Sequence, residues 1–285
     1  MSNDLSSAAP IDIGLVADGI PELRPEEIER VCAALEKQIT EHVGPVWNVR
    51  ATVRRVPTPG VSGAGRMTIV VLREIYSDGV AGYHAEKNGG GYSLVRYGGD
   101  WSVTASHECI EMLCNPHRKE FLKGPSPMGQ GEVEFLREVC DPCQNHAYAY
   151  PIAVEGGAVK VSDFCFPAYY DVHSTATRFS HTGKLTAPLQ VLDGSYLCWK
   201  FEDRLYKHSR LPHEPEFSEI ESRTAYADLR EQIYAATPDA FDVRAHADGK
   251  VLAAFRDARR RVSAAVAEHE RHWKEHFESL RSGAA

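Results

Sequence analysis

No stretch of this sequence stays apolar for the roughly 20 residues that a membrane-spanning helix requires. Positive charge is also in short supply. Lys and Arg number 32 against 40 Asp and Glu, which leaves a net charge of −8 and a pI near 5.9. That balance argues against nucleic acid or an anionic membrane surface as the main partner. The opening MSNDLSSAAPIDIG has neither a basic segment nor an apolar one, so no secretory leader is expected. Cysteine is sparse, odd in number at seven, and without framework spacing, which points to free thiols in a reducing compartment. The expected location is the cytoplasm. There is no internal repeat. The 43% hydrophobic and 25% charged residues suit a soluble globular chain with one sizeable core and room for a small appendage.

IDIGLVA reads as a short strand. Pro21 to Val43 reads as an amphipathic helix, with Pro25 near its first turn and Ile28, Val31, Leu35 and Ile39 spaced by three or four. WNVRATVRRV alternates like a strand, and MTIVVLREI has the β-branched run of a buried one. GYHAEKNGGG reads as a glycine-rich turn and YSLVRYG as the next strand, with an open edge on which an extended chain can pair. A helix is expected from about Thr104 to Cys114, where Asn115-Pro116 ends it. Arg118 to Gln130 reads as loop, EVEFLREVCDP as ambiguous with a helical turn as one option, and AYAYPIAV and AVKVSDF as strand-like. Residues up to about Phe201 look irregular with short strands. The composition shifts near Leu211, so residues 1–210 are expected to form the main domain and 211–285 a charged helical appendage. In the latter, Ala254, Val262, Val266, Trp273, Phe277 and Leu280 make an apolar stripe that a protein partner can cover.

The chemistry sits in SHECIEMLCNP. On a helix, His107 and Glu111 are four residues and about 40° apart, so both side chains can reach one ion. Glu108, turned about 100° from His107, stands where a general base takes a proton from metal-activated water. The zinc-protease pattern His-Glu-x-x-His here ends in Glu111, and zinc accepts a carboxylate in such a shell. The competing reading is a solvated helix with two acids. Against it stand apolar flanks Ile110, Met112 and Leu113, a preceding strand, and two downstream acids, Glu138 and Asp141, able to supply a third ligand.

AGYH, WSVTASHECIEMLCNP, EVCDPC and VSDFCFPAYY follow one another in that order, over about residues 25 to 200. This series resembles a largely uncharacterised family of bacterial and phage proteins regarded as metallopeptidases. The resemblance implies a metal site on His107, Glu108 and Glu111, with Glu138 and Asp141 in the acidic block. His84, Ser162, Asp163 and Phe164 match the remaining blocks. The chain departs from the family pattern at Asn115 and Gln144, where Asp and Glu are usual. By analogy with zinc enzymes whose downstream Glu binds the metal, Glu138 would ligate and Asp141 orient His107; the reverse assignment is nearly equal.

Rival groupings remain open. Cys109, Cys114, Cys140 and Cys143 suggest a four-cysteine zinc, although positions 109 and 114 lie about 140° apart on one helix. His84, beside Glu86, with His107 and Glu111 suggests a two-histidine, one-carboxylate iron site. The NGGG glycines lack the Lys-Ser/Thr of a phosphate loop and read as a strand connection or cleft rim. Tyr169, Tyr170 or His173 can face an oxyanion, but buried aromatics are more often core. His269, His272 and His276 share a mostly charged face. These residues predict an α+β, zincin-like protein acting as a zinc (or other divalent metal) peptide or amide hydrolase on a peptide or protein substrate. The alternative is a non-catalytic, metal-stabilised binding protein working through its C-terminal helix.

Overall fold

The chain begins with β1 (Ile11–Asp18), whose apolar residues feed the centre of a sheet. α1 (Pro25–Gln38) follows, with Pro25 in its first turn and Glu26 and Glu27 beside the exposed N–H groups there. It buries Ile28, Val31 and Leu35 on one face, as the spacing predicts. A wider π-turn (Ile39–Val43) and the short α2 (Gly44–Trp47) prolong it, and Asn48 closes the run in a left-handed conformation at φ 56°. β2 (Ala51–Arg55), β3 (Arg66–Leu72), β4 (Gly82–Lys87) and β5 (Gly90–Arg96) precede α3 (Trp101–Cys114). The first sheet has the order β2-β1-β3-β5-β4, parallel throughout except for β4, which runs antiparallel to β5 at the edge.

β6 (Phe121–Pro125) and β7 (Glu132–Leu136) come next. A hairpin of β8 (Tyr150–Val154) and β9 (Gly157–Val161) packs on α1 and α3. Then β10 (Tyr196–Phe201), β11 (Arg204–Ser209) and β12 (Phe217–Ile220) complete an antiparallel sheet ordered β12-β11-β10-β7-β6. This computed structural model describes residues 9–57, 65–73, 75, 81–87, 90–116, 120–212 and 214–220, all within one compact unit, Met1–Glu221. Among the described residues no helix is long and apolar enough to cross a membrane.

Two cores meet at α3. Ile13, Leu15, Ile69, Val71 and Val95 of the first sheet pack with α1 and with Ala105, Cys109, Met112 and Leu113 of α3. Phe135, Tyr170, Phe179 and Trp199 form the second, which takes Ile110 and Cys114 from the other side of the same helix. At 100° per residue, these apolar positions cover more than half of the helix circumference. His107, Glu111 and Glu108 occupy the remaining arc.

The architecture is α+β, as the residue pattern predicts, with several local differences. α3 starts at Trp101 rather than near Thr104, because the apolar Trp101 and Val103 extend its buried face. GYHAEK is not a turn but the edge strand β4, its alternation obscured by the glycines around it. YSLVRYG, in consequence, lies between β3 and β4 and is not an edge. EVEFL is β7, and the expected loop before it contains β6. The sheet continues through Ile220, beyond the residue-210 boundary read from composition. The expected C-terminal helix, its apolar stripe and its three histidines lie outside the described residues.

Phe135 is fully buried and faces both Tyr170 and Trp199 at ring separations of 6.4 and 6.2 Å. Phe135→Ala is expected to cost about 3–5 kcal/mol of unfolding free energy, read from the urea midpoint at unchanged slope.

Candidate metal centre

Glu111 is the hub. It is 3% exposed, and its Oε1 accepts the backbone N–H groups of Cys140 (3.0 Å) and Asp141 (3.3 Å). The short 3-10 turn at Asp141–Cys143, started by Pro142, aims those two N–H groups at the helix. The other oxygen, Oε2, lies 3.2 Å from His107 Nε2 and 3.8 Å from His84 Nδ1. His84 comes from β4, where it sits opposite Ser93 of β5. Its Nδ1 lies 3.3 Å from Glu108 Oε2 and its Nε2 3.7 Å from Glu138 Oε2. Asp141 Oδ1 approaches His107 Nε2 to 3.4 Å. The structure thus brings His84, His107, Glu108, Glu111, Glu138 and Asp141 into one buried cluster.

Charge is crowded here. Burial would push the His107 imidazole down, but the carboxylates of Glu111 and Asp141 reverse this and hold it well above its usual range. Burial and the charge of Asp141 push Glu111 up to about 7, against the pull of His107. Several carboxylates held out of water must take up protons or face a cationic counterpart, since each uncompensated buried charge costs several kcal/mol.

The donors suit a divalent cation. Ligands bound tetrahedrally at about 2.0–2.2 Å are separated by about 3.3–3.6 Å, and the 3.2 and 3.4 Å spacings around His107 Nε2 are close to that range. Two groups of three have their donor atoms within 4.8 Å of one another: His107, Glu111 and Cys140, and His84, Glu111 and Glu138. Asp141 falls in neither. Cys140 was not singled out by sequence as a donor to this site, because its thiol reads as core; its place immediately before Asp141 was the available signal.

The other sequence candidates have local roles. Asp163 Oδ1 accepts the N–H groups of Phe164 and Thr182, and its Oδ2 the Thr182 hydroxyl. Burial pushes the Asp163 carboxyl up. Tyr169 donates to the Gln190 carbonyl, and Tyr170 to the carbonyl of Glu138 at 3.4 Å. Both rings are core, as their type suggests, and His173 is exposed. Asn115 accepts from Glu120 N–H and Gln144 donates to the Gly194 carbonyl, so both side chains fasten loops. All seven cysteines are free, and Cys109 packs in a different core from Cys114, Cys140 and Cys143, which separates the four-cysteine set. The side chain of Glu86 lies outside the described residues.

Two features that fix α3 were missed by sequence reading. Gly82 of β4 lies so near the helix that a Cβ there would come within 2.6 Å of Thr104 Cγ2 and 2.8 Å of Glu108 Oε1. Only glycine lets Glu108 lie against the strand. On the opposite side, Ser106 donates to Gln38 Oε1 of α1 at 2.7 Å and accepts Ser162 N–H at 3.0 Å. Gln38 in turn donates to the Ser162 carbonyl and the Tyr150 hydroxyl. That hydroxyl touches His42, which stacks on His181 at 4.2 Å.

Comparison of the chain with protein families, with curated proteins and with solved structures finds no match in any of the three.

Gly82→Ala is expected to lower the urea midpoint by the equivalent of about 1–3 kcal/mol through overpacking. Gly98→Ala, whose Cβ would meet nothing within 4 Å, should leave it unchanged. A pH dependence follows from His181, pushed down to about 4 by burial and by the neighbouring charges of His42 and Arg178. The unfolded imidazole titrates at about 6.5, so stability is complete above that pH and declines as pH falls towards 4. His181→Phe, which keeps a ring in the stack, should show a smaller loss of urea midpoint over that window than the unaltered chain.

Proposed function

We propose that this protein is a metal-dependent, zincin-like hydrolase of peptide or amide bonds, with His107 and Glu111 as metal ligands and Glu138 or Asp141 completing the set. The observation that carries this reading is the convergence of His107 Nε2 and Glu111 Oε2 at 3.2 Å, beside further buried carboxylates and a second imidazole. The order of elements supports it: β1, α1 and then four strands lead into the helix that carries the motif, with an antiparallel edge strand just before β5. Three of the four sequence blocks that resemble the metallopeptidase family contribute His84, His107, Glu111, Glu138 and Asp141 to this one cluster. Membership of that family is part of the proposal.

A bound zinc or similar divalent cation would polarise the scissile carbonyl and acidify the attacking water. Glu108 accepts that water's proton and returns it to the departing amine. His84, 3.3 Å away, holds the Glu108 carboxylate in place. β4 is the outermost strand of its sheet among the described residues, so an extended peptide can add there as a further strand. This assigns to β4 the substrate-pairing role that the sequence suggested for β5.

A second reading is favoured by the depth of the site. His84, Glu108, Glu111, Glu138 and Asp141 are each at most 5% exposed, and the His107 side chain reaches only 13%. A site so enclosed also suits an ion that stabilises a binding protein, with a partner taken by residues after 220. Glu108→Gln separates the two. For a hydrolase, turnover on a peptide library falls by at least about 100-fold while metal content, measured by elemental analysis, is unchanged. Retained hydrolysis removes Glu108 from the mechanism. Absence of hydrolysis in the unaltered, metal-loaded chain, with melting temperature still raised by the metal, selects the structural ion.

A further inference from the structure

The donors of the cluster do not converge on one point. His107, Glu111 and Cys140 form one group within mutual reach, His84, Glu111 and Glu138 another, and only Glu111 belongs to both. Ligands of a single zinc-like ion at about 2.0–2.3 Å can be no more than about 4.6 Å apart, even when they lie opposite each other. One ion serving all five residues would therefore gather them into one group within the 4.8 Å limit; they fall into two.

We propose that the protein takes two divalent cations side by side, bridged by Glu111. The first is held by His107 and Glu111 with Cys140 or Asp141, and the second by His84, Glu111 and Glu138. The inference rests on the metal reading of His107 and Glu111, gives Glu138 to a second ion, and leaves Asp141 or Cys140 to complete the first. His84 supports this in its orientation. With its proton on Nδ1, the nitrogen 3.3 Å from Glu108 Oε2, it presents the Nε2 lone pair on the side of Glu138, 3.7 Å away. A histidine that donates one ring N–H to a carboxylate while the other nitrogen binds is the usual arrangement of a metal ligand.

Glu138 is also built in. Its backbone carbonyl accepts the Tyr170 hydroxyl, and its own N–H donates to the Leu136 carbonyl at 2.9 Å. Glu111 is suited to bridging because Oε1 is already committed to two backbone N–H groups, leaving Oε2 to face both imidazoles. One imidazole with two carboxylates is a donor set for manganese, iron or zinc, whereas a thiol beside the first ion favours zinc. Paired ions about 3.5–4 Å apart stabilise both the attacking and the leaving atom of a hydrolytic step.

The test is metal stoichiometry on the full chain, stripped and then reloaded with manganese(II), read by elemental analysis and electron paramagnetic resonance. The expected result is two ions per chain with the spectrum of an exchange-coupled pair. His84→Ala should leave one ion per chain and an isolated-ion spectrum. Glu138→Gln, which keeps the shape of the side chain, gives the same readout should the alanine variant fail to fold. Glu111→Gln should weaken both ions by at least about 10-fold. One ion per chain that His84→Ala does not affect overturns the second ion and leaves the first in place. One ion that is lost on either His84→Ala or His107→Ala overturns the bridge in favour of a single shared ion. No bound ion at all overturns the metal reading together with the inference.

Discussion

Burying Glu111 is the constraint from which the rest of the site follows. A carboxylate at 3% exposure, among three others at 5% or less, has given up its hydration and must be repaid within the protein. The fold does this from two sides. The 3-10 turn after Glu138 supplies two N–H groups to Oε1, and two imidazoles from separate elements face Oε2. The turn at Asp141–Cys143 is thus an electrostatic fitting for α3, and Pro142 within it has its own φ fixed by the ring. A polar group with this many dependants cannot be moved without disturbing all of them.

The same economy explains why α3 is clamped so firmly. One side is set against the first sheet through Cys109, Met112 and Leu113, the other against the second core through Ile110 and Cys114. Glycines at 82 and 91 let the helix settle directly on β4 and β5; at Gly91 a Cβ would come within 2.7 Å of Met112 Cγ. Ser106, immediately before His107, is hydrogen-bonded to α1 and to the segment after β9. Rotation of the helix about its axis would break apolar packing, the Ser106 bonds and the Glu111 cradle together. Rigid elements that hold a polar cluster to within a fraction of an ångström are what a metal or catalytic constellation requires.

How much of this was legible in the sequence depends on the range of the interaction involved. The buried strands and the apolar face of α1 follow from local periodicity, and Ile28, Val31, Leu35 and Ile39 are all buried as their spacing predicts. The i, i+4 pair His107 and Glu111 is equally local. Glu138 and Asp141 were nominated only as acids at a plausible distance downstream, and their approach depends on a turn whose direction no spacing encodes. β4 was read as a turn because glycine and polar residues dilute its alternation; its strand pairing with β5 is a property of the sheet. The sequence brings His84 together with His107 and Glu111 only in the rival iron set, and it is the strand that carries it into the cluster. Cys140 was hidden for another reason: a thiol's apolar and ligand roles look identical until its neighbours are known.

Depth also sets a condition on any chemistry done here. Helical geometry puts His107 at one margin of the polar arc and Glu108 at the other, about 100° apart, and only the His107 margin meets solvent to any extent, at 13%. In the proposed reaction, water or a carbonyl would reach the cluster past His107, while Glu108 lies behind it against Gly82 and His84. A proton taken by Glu108 on that inner side would be held away from bulk water, 3.3 Å from His84 Nδ1. The enclosure that makes these charges costly to bury is also what would make a cation held among them effective, because each electrostatic interaction is stronger where water is excluded. The burial of the acids and the case for a cation are one argument: a cluster of carboxylates this far from solvent must take up protons or share the space with something positive.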